Sequence, residues 1–126
     1  MGNARPTSYH SDPQIDALVD EAICRIADKW TLLLIEALEE GGPKRFSQLG
    51  RDVSGISQKM LTQTLRAMER EGLVERTVFP EVPPRVEYEL TQLGRELSEA
   101  LCGVWIWAER NIEAIKVARA KFDGLS

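Results

Sequence analysis

At 126 residues the chain has the length of one domain, or of one domain with extensions, and its 43% apolar content is enough for a core. No apolar run reaches the ~18 residues that span a bilayer, and the first residues lack a basic-then-apolar signal pattern. A cytoplasmic protein without a membrane segment is therefore expected, and its net charge of −4 argues at first against nucleic acid as a partner.

Residues 1–11 carry Gly, Asn, Pro, Ser and the only histidine, His10, without periodicity, and are expected to form a flexible tail. Asp12-Pro13 starts a first helix, Asp as cap and Pro at the first helical position. Ile15, Leu18, Val19, Ala22, Ile23 and Ile26 then recur at helical spacing to about residue 26. A second helix begins near Asp28 and is apolar nearly all round from Trp30 to Leu38, which marks the central core helix. Gly41-Gly42-Pro43 ends it. Lys44 to Phe46 is too short for more than an edge strand, Ser47 can cap a short helix bearing Leu49 and Val53, and Ser54-Gly55 makes a turn. A further helix starts at Ser57 and closes at Gly72. Short helix, tight turn and longer helix form a helix-turn-helix over 47–71.

Residues 73–79 and 86–90 are rich in β-branched and aromatic types, and Pro80, Pro83 and Pro84 between them make the connecting loop protrude. Residues 73–90 thus read as a β-hairpin wing. Thr91 caps a helix expected to run to about residue 121, with Leu93, Leu97, Leu101, Val104, Trp105, Ala108, Ile112 and Ile115 at apolar positions. Thirty such residues would measure about 45 Å, more than a domain of this size can cover. Trp105, Ile106 and Trp107 are consecutive and cannot share one core. The fold class is mainly α with a small β-hairpin, a winged helix-turn-helix whose long last helix leaves apolar surface for the same helix of a second subunit.

The helix after Ser57 sorts its residues by face. At about 100° per residue, Met60, Leu61, Thr64, Leu65, Ala67 and Met68 fall in one arc, and Gln58, Lys59, Thr62, Gln63, Arg66 and Arg70 in another. The charge follows the same division. Residues 44–95 hold nine Lys/Arg against seven acids, and the rest of the chain seven against thirteen. Phosphate responds to the local field more than to the total, so the acidic balance does not exclude DNA.

With this layout in place, the sequence closely resembles the HxlR-type winged-helix transcription regulators over roughly residues 15 to 110. The marks are Lys29-Trp30-Thr31-Leu32-Leu33-Leu34, Arg45-Phe46-Ser47-Gln48-Leu49, and the run from Gly55-Ile56-Ser57 to Leu61-Thr62. Leu65-Arg66, Gly72-Leu73-Val74-Glu75-Arg76, Pro83-Pro84-Arg85-Val86-Glu87-Tyr88, Leu90-Thr91 and Gly94 continue the match. The resemblance implies one domain over residues 12–126 and a homodimer made by the first and last helices, presenting two recognition helices and two wings to one duplex. It implies a DNA-binding regulator, expected to repress from an inverted-repeat operator. The family often carries a sensing Cys about twelve residues before the Lys-Trp pair, where this chain has Ala17.

On this reading Ser57, Gln58, Lys59, Thr62, Gln63 and Arg66 face the major groove, where Gln can read adenine and Arg or Lys guanine. Arg85 on the wing is a candidate for the minor groove or backbone, against pairing with Glu81 or Glu87. Lys44, Arg45 and Arg51 are candidate phosphate clamps, against ordinary surface ion pairs. Ile15, Leu18, Leu101, Trp105, Ala108 and Ile112 are the candidate dimer residues. Trp30, Trp105 and Trp107 fill core and interface in preference to lining an effector pocket. Cys24 and Cys102 make neither a disulfide framework nor a zinc spacing and are expected to be buried thiols, Cys24 being the candidate for a redox role. No cofactor or metal is implied, and the effector, if there is one, is open. No Gly-rich phosphate loop, catalytic histidine or paired carboxylate set points to an enzyme. The competing reading is a winged helix used for protein–protein contact, favoured by the acidic total charge.

Overall fold

The structure, a computed structural model, describes residues 12–26 and 28–124. The expected tail and His10 lie outside the described residues. Helix α1 (Pro13–Ile26) opens where Asp12 Oδ1 accepts the Gln14 N–H at 2.9 Å. Helix α2 (Lys29–Glu39) opens in the same way, Asp28 Oδ1 accepting from the Trp30 N–H at 2.9 Å. Both are side-chain caps on donors that a helix leaves unpaired. The central helix buries Thr31, Leu34, Ile35 and Leu38.

Strand β1 (Lys44–Arg45) is the expected edge strand, in a three-stranded antiparallel sheet of order β1-β3-β2. Helix α3 (Phe46–Asp52) follows it directly. Ser47 does not cap this helix, contrary to the expectation from sequence. The cap position is Arg45, with no side-chain bond, because the residue that pairs Glu87 in the sheet is also the last before the helix. The turn holds Gly55 at φ 85°, a left-handed conformation that glycine adopts without penalty. Helix α4 (Gln58–Arg70) starts at Ser57, whose Oγ accepts the Met60 N–H at 3.0 Å. Its buried positions are Leu61, Thr64, Leu65 and Met68, all in the apolar arc read from the sequence.

The end of α4 is a Schellman turn: the Leu73 N–H donates to the Met68 carbonyl at 2.9 Å and the Gly72 N–H to the Glu69 carbonyl at 3.0 Å. Strands β2 (Val74–Phe79) and β3 (Arg85–Leu90) then form the wing, pairing from Val74 with Leu90 to Phe79 with Arg85. The Val82–Pro83 bond in the connecting loop is cis.

Helix α5 (Gln92–Arg110) returns from the wing to the core at one joint. The Thr91 N–H donates to the Leu73 carbonyl at 3.0 Å, and the Thr91 hydroxyl donates to the Gly72 carbonyl while accepting the Gly94 N–H at 3.0 Å. Gly94 lies so close that a Cβ there would run into the Leu73 carbonyl oxygen.

The expected single helix to residue 121 is two helices, α5 and α6 (Ile112–Gly124), broken at Asn111. The Asn111 N–H is shared between the Trp107 and Ala108 carbonyls at 3.1 and 3.2 Å, and its Nδ2 donates to the Trp107 carbonyl at 2.8 Å. The side chain thereby competes with the helical ladder, which is why asparagine interrupts helices.

The core joins Leu34, Ile35, Leu38, Leu49, Val53, Leu61, Leu65, Met68, Leu73, Val74, Tyr88 and Leu90, with Trp30, Phe46, Ile56, Val86 and Leu97 packed on it. Leu101 also packs on this core and remains half-buried in the single chain. Cys24 and Cys102 are exposed, not buried, because they sit on faces of α1 and α5 that this one chain leaves uncovered.

A glycine inside a helix normally gains about 1 kcal/mol when replaced by alanine. Gly94→Ala is expected to do the reverse, losing about 3 kcal/mol as the methyl is forced against backbone. Urea unfolding midpoints of the two proteins measure it.

Candidate nucleic-acid interface

The polar arc of α4 is displayed as its sequence spacing dictates. Gln58, Lys59, Thr62, Gln63 and Arg66 are all exposed, on a helix whose opposite side is locked in the core. Two of the named residues spend their polar groups locally. Ser57 is the helix cap, and the Thr62 hydroxyl donates to the Gln58 carbonyl at 3.0 Å. The side chains of Gln58, Lys59, Gln63 and Arg66 have no hydrogen-bond or ion-pair partner among the described residues. That leaves two amides and two cations on one helical face, free to meet a ligand. Arg70, one turn on, is held by Glu71 at 3.4 Å.

The other named cations divide sharply. Arg51 is exposed and unpaired among the described residues. Lys44 is not a free clamp. Its Nζ donates to the Ala37 carbonyl at 2.7 Å and to Asp52 Oδ2 at 3.1 Å, and its side chain is only 13% exposed. It ties the end of α2 to β1 and α3, as its place on the inward side of the sheet opposite buried Tyr88 requires.

Arg85 is likewise engaged. Its guanidinium lies 3.0 Å from Glu81, 3.4 Å from Glu87 and 3.9 Å above the Phe79 ring. The pairing weighed against DNA contact in the sequence is the one the structure holds. Because Phe79 and Arg85 are directly opposite in the β2–β3 register, this cluster closes the base of the wing loop.

Sequence reasoning missed Arg76. It is exposed on β2, opposite Tyr88, and with Arg45, Ser47, Pro83 and Pro84 it lines a groove of ≈ 490 Å³ between α3 and the wing. Neither Arg45 nor Arg76 has an ion-pair partner among the described residues. Strand register brings them to one groove, and register is not visible in the local sequence. No group of acidic, His or Cys residues among those described could hold a metal ion, and no described helix is long and apolar enough to cross a membrane.

A helix-turn-helix whose second helix offers free amides and cations, followed by a hairpin wing, is the architecture of a winged-helix DNA-binding protein. The chain belongs to the HxlR-like helix-turn-helix family, whose model matches residues 25–116. It is 40% identical over 99 residues to the HTH-type transcriptional regulator YtfH of Escherichia coli (strain K12), covering 79% of this chain and 78% of that one. Among solved structures it resembles a transcriptional regulator ytfH from Salmonella typhimurium, with TM-score 0.70, 38% identity, and 80% and 89% of the two chains covered. It also resembles a regulator described as of the MarR family from Enterococcus faecalis V583, with TM-score 0.69, 41% identity, and coverage of 90% and 99%. These relatives are described as transcription regulators.

The two kinds of arginine separate in a stability measurement. Arg85→Ala should lower stability by about 1–2 kcal/mol, removing a stacked and twice-paired guanidinium and leaving Glu81 and Glu87 unopposed, and amide exchange in 79–86 should quicken. Arg66→Ala, with nothing to lose in the folded chain, should stay within about 0.5 kcal/mol of the parent. Urea titration and hydrogen exchange read both.

Proposed function

We propose that this chain is a homodimeric, sequence-specific DNA-binding regulator of the cytoplasm that represses transcription from an inverted-repeat operator. The observation that carries the reading is the α4 face, where Gln58, Lys59, Gln63 and Arg66 stand exposed and unpaired on a helix fixed by its buried side. In the major groove the amides suit adenine edges and the cations suit guanine or phosphate. Arg51, and Arg45 and Arg76 across the wing groove, take the flanking backbone, since half or more of such contacts go to phosphate. Arg85 and Lys44 support the surface from within rather than touching DNA. The domain of residues 12–126 is the unit that folds and binds. Repression by occlusion needs no segment beyond it.

The dimer reading rests on apolar surface. Ile15 and Leu18 on α1, Trp105 on α5 and Ile112 at the start of α6 are all exposed in the single chain, together with Val104 and Trp107. Monomers rarely leave so much large apolar surface contiguous with helices. A partner copy covering these helices removes it, with Ala108 half-buried between them.

DNA binding is tested by fluorescence anisotropy on duplex from upstream of the chain's own gene, across a salt series. Affinity should fall steeply with salt, and Lys59→Ala or Arg66→Ala should flatten the log–log slope by about 1 for each phosphate that the substitution leaves unneutralised. Unchanged binding by both variants would defeat the assignment of this face, and a protein partner captured there without competition from DNA would favour the protein–protein reading.

The two-fold arrangement makes its own prediction. A footprint should cover two half-sites about one DNA turn apart, and Trp105→Glu should shift sedimentation toward the monomer and shrink the footprint to one half-site with weaker binding. A full-length footprint from a monomeric protein would contradict it.

A further inference from the structure

The groove between α3 and the wing offers more than a duplex backbone can use. Its charged lining is three arginines and one acid, and the acid, Glu81, is already held by Arg85 at 3.0 Å. Arg45 and Arg76 therefore line the groove with charge that no described residue neutralises. The terminal nitrogens of Arg85 go to Glu81 and Glu87, but its Nε is the one buried side-chain polar atom without a hydrogen-bond partner among the described residues. Buried donors are ordinarily bonded, so this wall carries a donor that the chain itself does not use.

Between the cations the walls are apolar. Phe46 and Val86 are half-buried, Tyr88 is only 7% exposed, and Pro83 and Pro84 line the wing side. Tyr88 stands opposite Arg76 in the β2–β3 register, so an aromatic ring and a free guanidinium share one face of the sheet. Phosphates of a duplex would meet the exposed Arg45 and Arg76 and leave these apolar walls without a partner. A recess of ≈ 490 Å³ with apolar walls and a few converging polar groups is the form of a small-molecule site, for which about 300–1,000 Å³ is usual. The surplus of arginine selects an anion, and the planar guanidinium matches the two oxygens of a carboxylate.

We infer that the wing groove is an effector site for an aromatic carboxylic acid, with the ring on the wall of Phe46, Val86 and Tyr88 and the carboxylate held by Arg45 and Arg76. The Arg85 Nε–H is the further donor on that wall. Arg45 and Arg76 are the cations assigned above to the DNA backbone, so acid and duplex compete for them. By linkage, each weakens the binding of the other by the same factor. The acid loosens the wing side of the contact and leaves the α4 face as it is. The regulatory consequence rests on the DNA-binding reading, whereas the binding event does not.

Isothermal titration calorimetry on the full chain without DNA tests the site directly, with naphthoate, the neutral naphthylmethanol and inorganic phosphate as probes. Naphthoate should bind saturably with a Kd below about 1 mM, and the other two at least about tenfold more weakly. Arg45→Gln and Arg76→Gln should each weaken naphthoate by about fivefold, the worth of one hydrogen bond. Neither arginine has an ion-pair partner to lose, so the unfolding midpoints of both variants should stay at the parent value. Absence of saturable heat for naphthoate, equal binding of the alcohol or of phosphate, or full naphthoate affinity in both glutamine variants would each overturn the site. Anisotropy on the same duplex then reports the competition. Saturating naphthoate should weaken DNA binding by at least about fivefold in the parent, and by less in the two variants. An unchanged DNA affinity with naphthoate bound would overturn the regulatory role, and failure of DNA to bind at all would fall on the preceding reading instead.

Discussion

The whole display depends on a joint a few residues across, where the end of α4, both strands of the wing and the start of α5 meet. Leu73 is bonded through its N–H to Met68 at the close of the recognition helix and through its carbonyl to Thr91. Thr91 in turn holds the Gly72 carbonyl and caps α5 through Gly94. These bonds bring α5 against the turn so closely that position 94 admits no side chain. Gly72, at φ 79°, is what lets the chain leave the helix in the direction the joint requires. The angle between recognition helix and wing is thus set by backbone hydrogen bonds and a steric limit, neither of which depends on salt.

Around that frame, positive charge is used in two separate ways. Lys44 and Arg85 lie close to the core or the base of the wing and are neutralised by Asp52, Glu81 and Glu87. They hold segments together. Arg45, Arg51, Lys59, Arg66 and Arg76 have no such partners among the described residues. An acidic chain can still present free cations to phosphate, because acids such as Asp52, Glu81 and Glu87 are spent on structure while unpaired cations gather on α3, α4 and the wing groove. Counting charges by segment shows the excess but not which cations are free.

The recognition helix was legible in the sequence because its information is local. The cap at Ser57, the two arcs of α4 and the Gly72 stop are set by neighbours three or four residues apart, and each stands where the spacing puts it. The wing strands and the edge strand were legible for the same reason. What escaped was set by partners distant in sequence. Lys44 finds Ala37 and Asp52, Arg85 finds Phe79 by strand register, and Arg76 reaches its groove the same way. Ser47 is not the cap because Arg45, paired in the sheet, is already the last residue before the helix. The break at Asn111 had a local signal, a side chain that bonds backbone, but the apolar period continues through Ile112 and Ile115 and conceals it.

That break matters for how two copies would meet. The first half of α5 is committed to its own chain, with Gly94 and Ser98 buried and Leu97 and Leu101 on the core. From Val104 to Trp107 its apolar residues are exposed, and the helix breaks at Asn111 before α6. One helix is therefore anchored at the joint beside the wing at one end and exposes Trp105 and Trp107 at the other, about 20 Å apart at 1.5 Å per residue. A helix so short between joint and interface is a stiff arm. In a dimer closed by these surfaces, the separation and tilt of the two recognition helices follow from the length of that arm and from the break at Asn111. On the proposed two-fold reading, operator spacing would be a property of the backbone, and the bases within each half-site would be left to the few free side chains of α4.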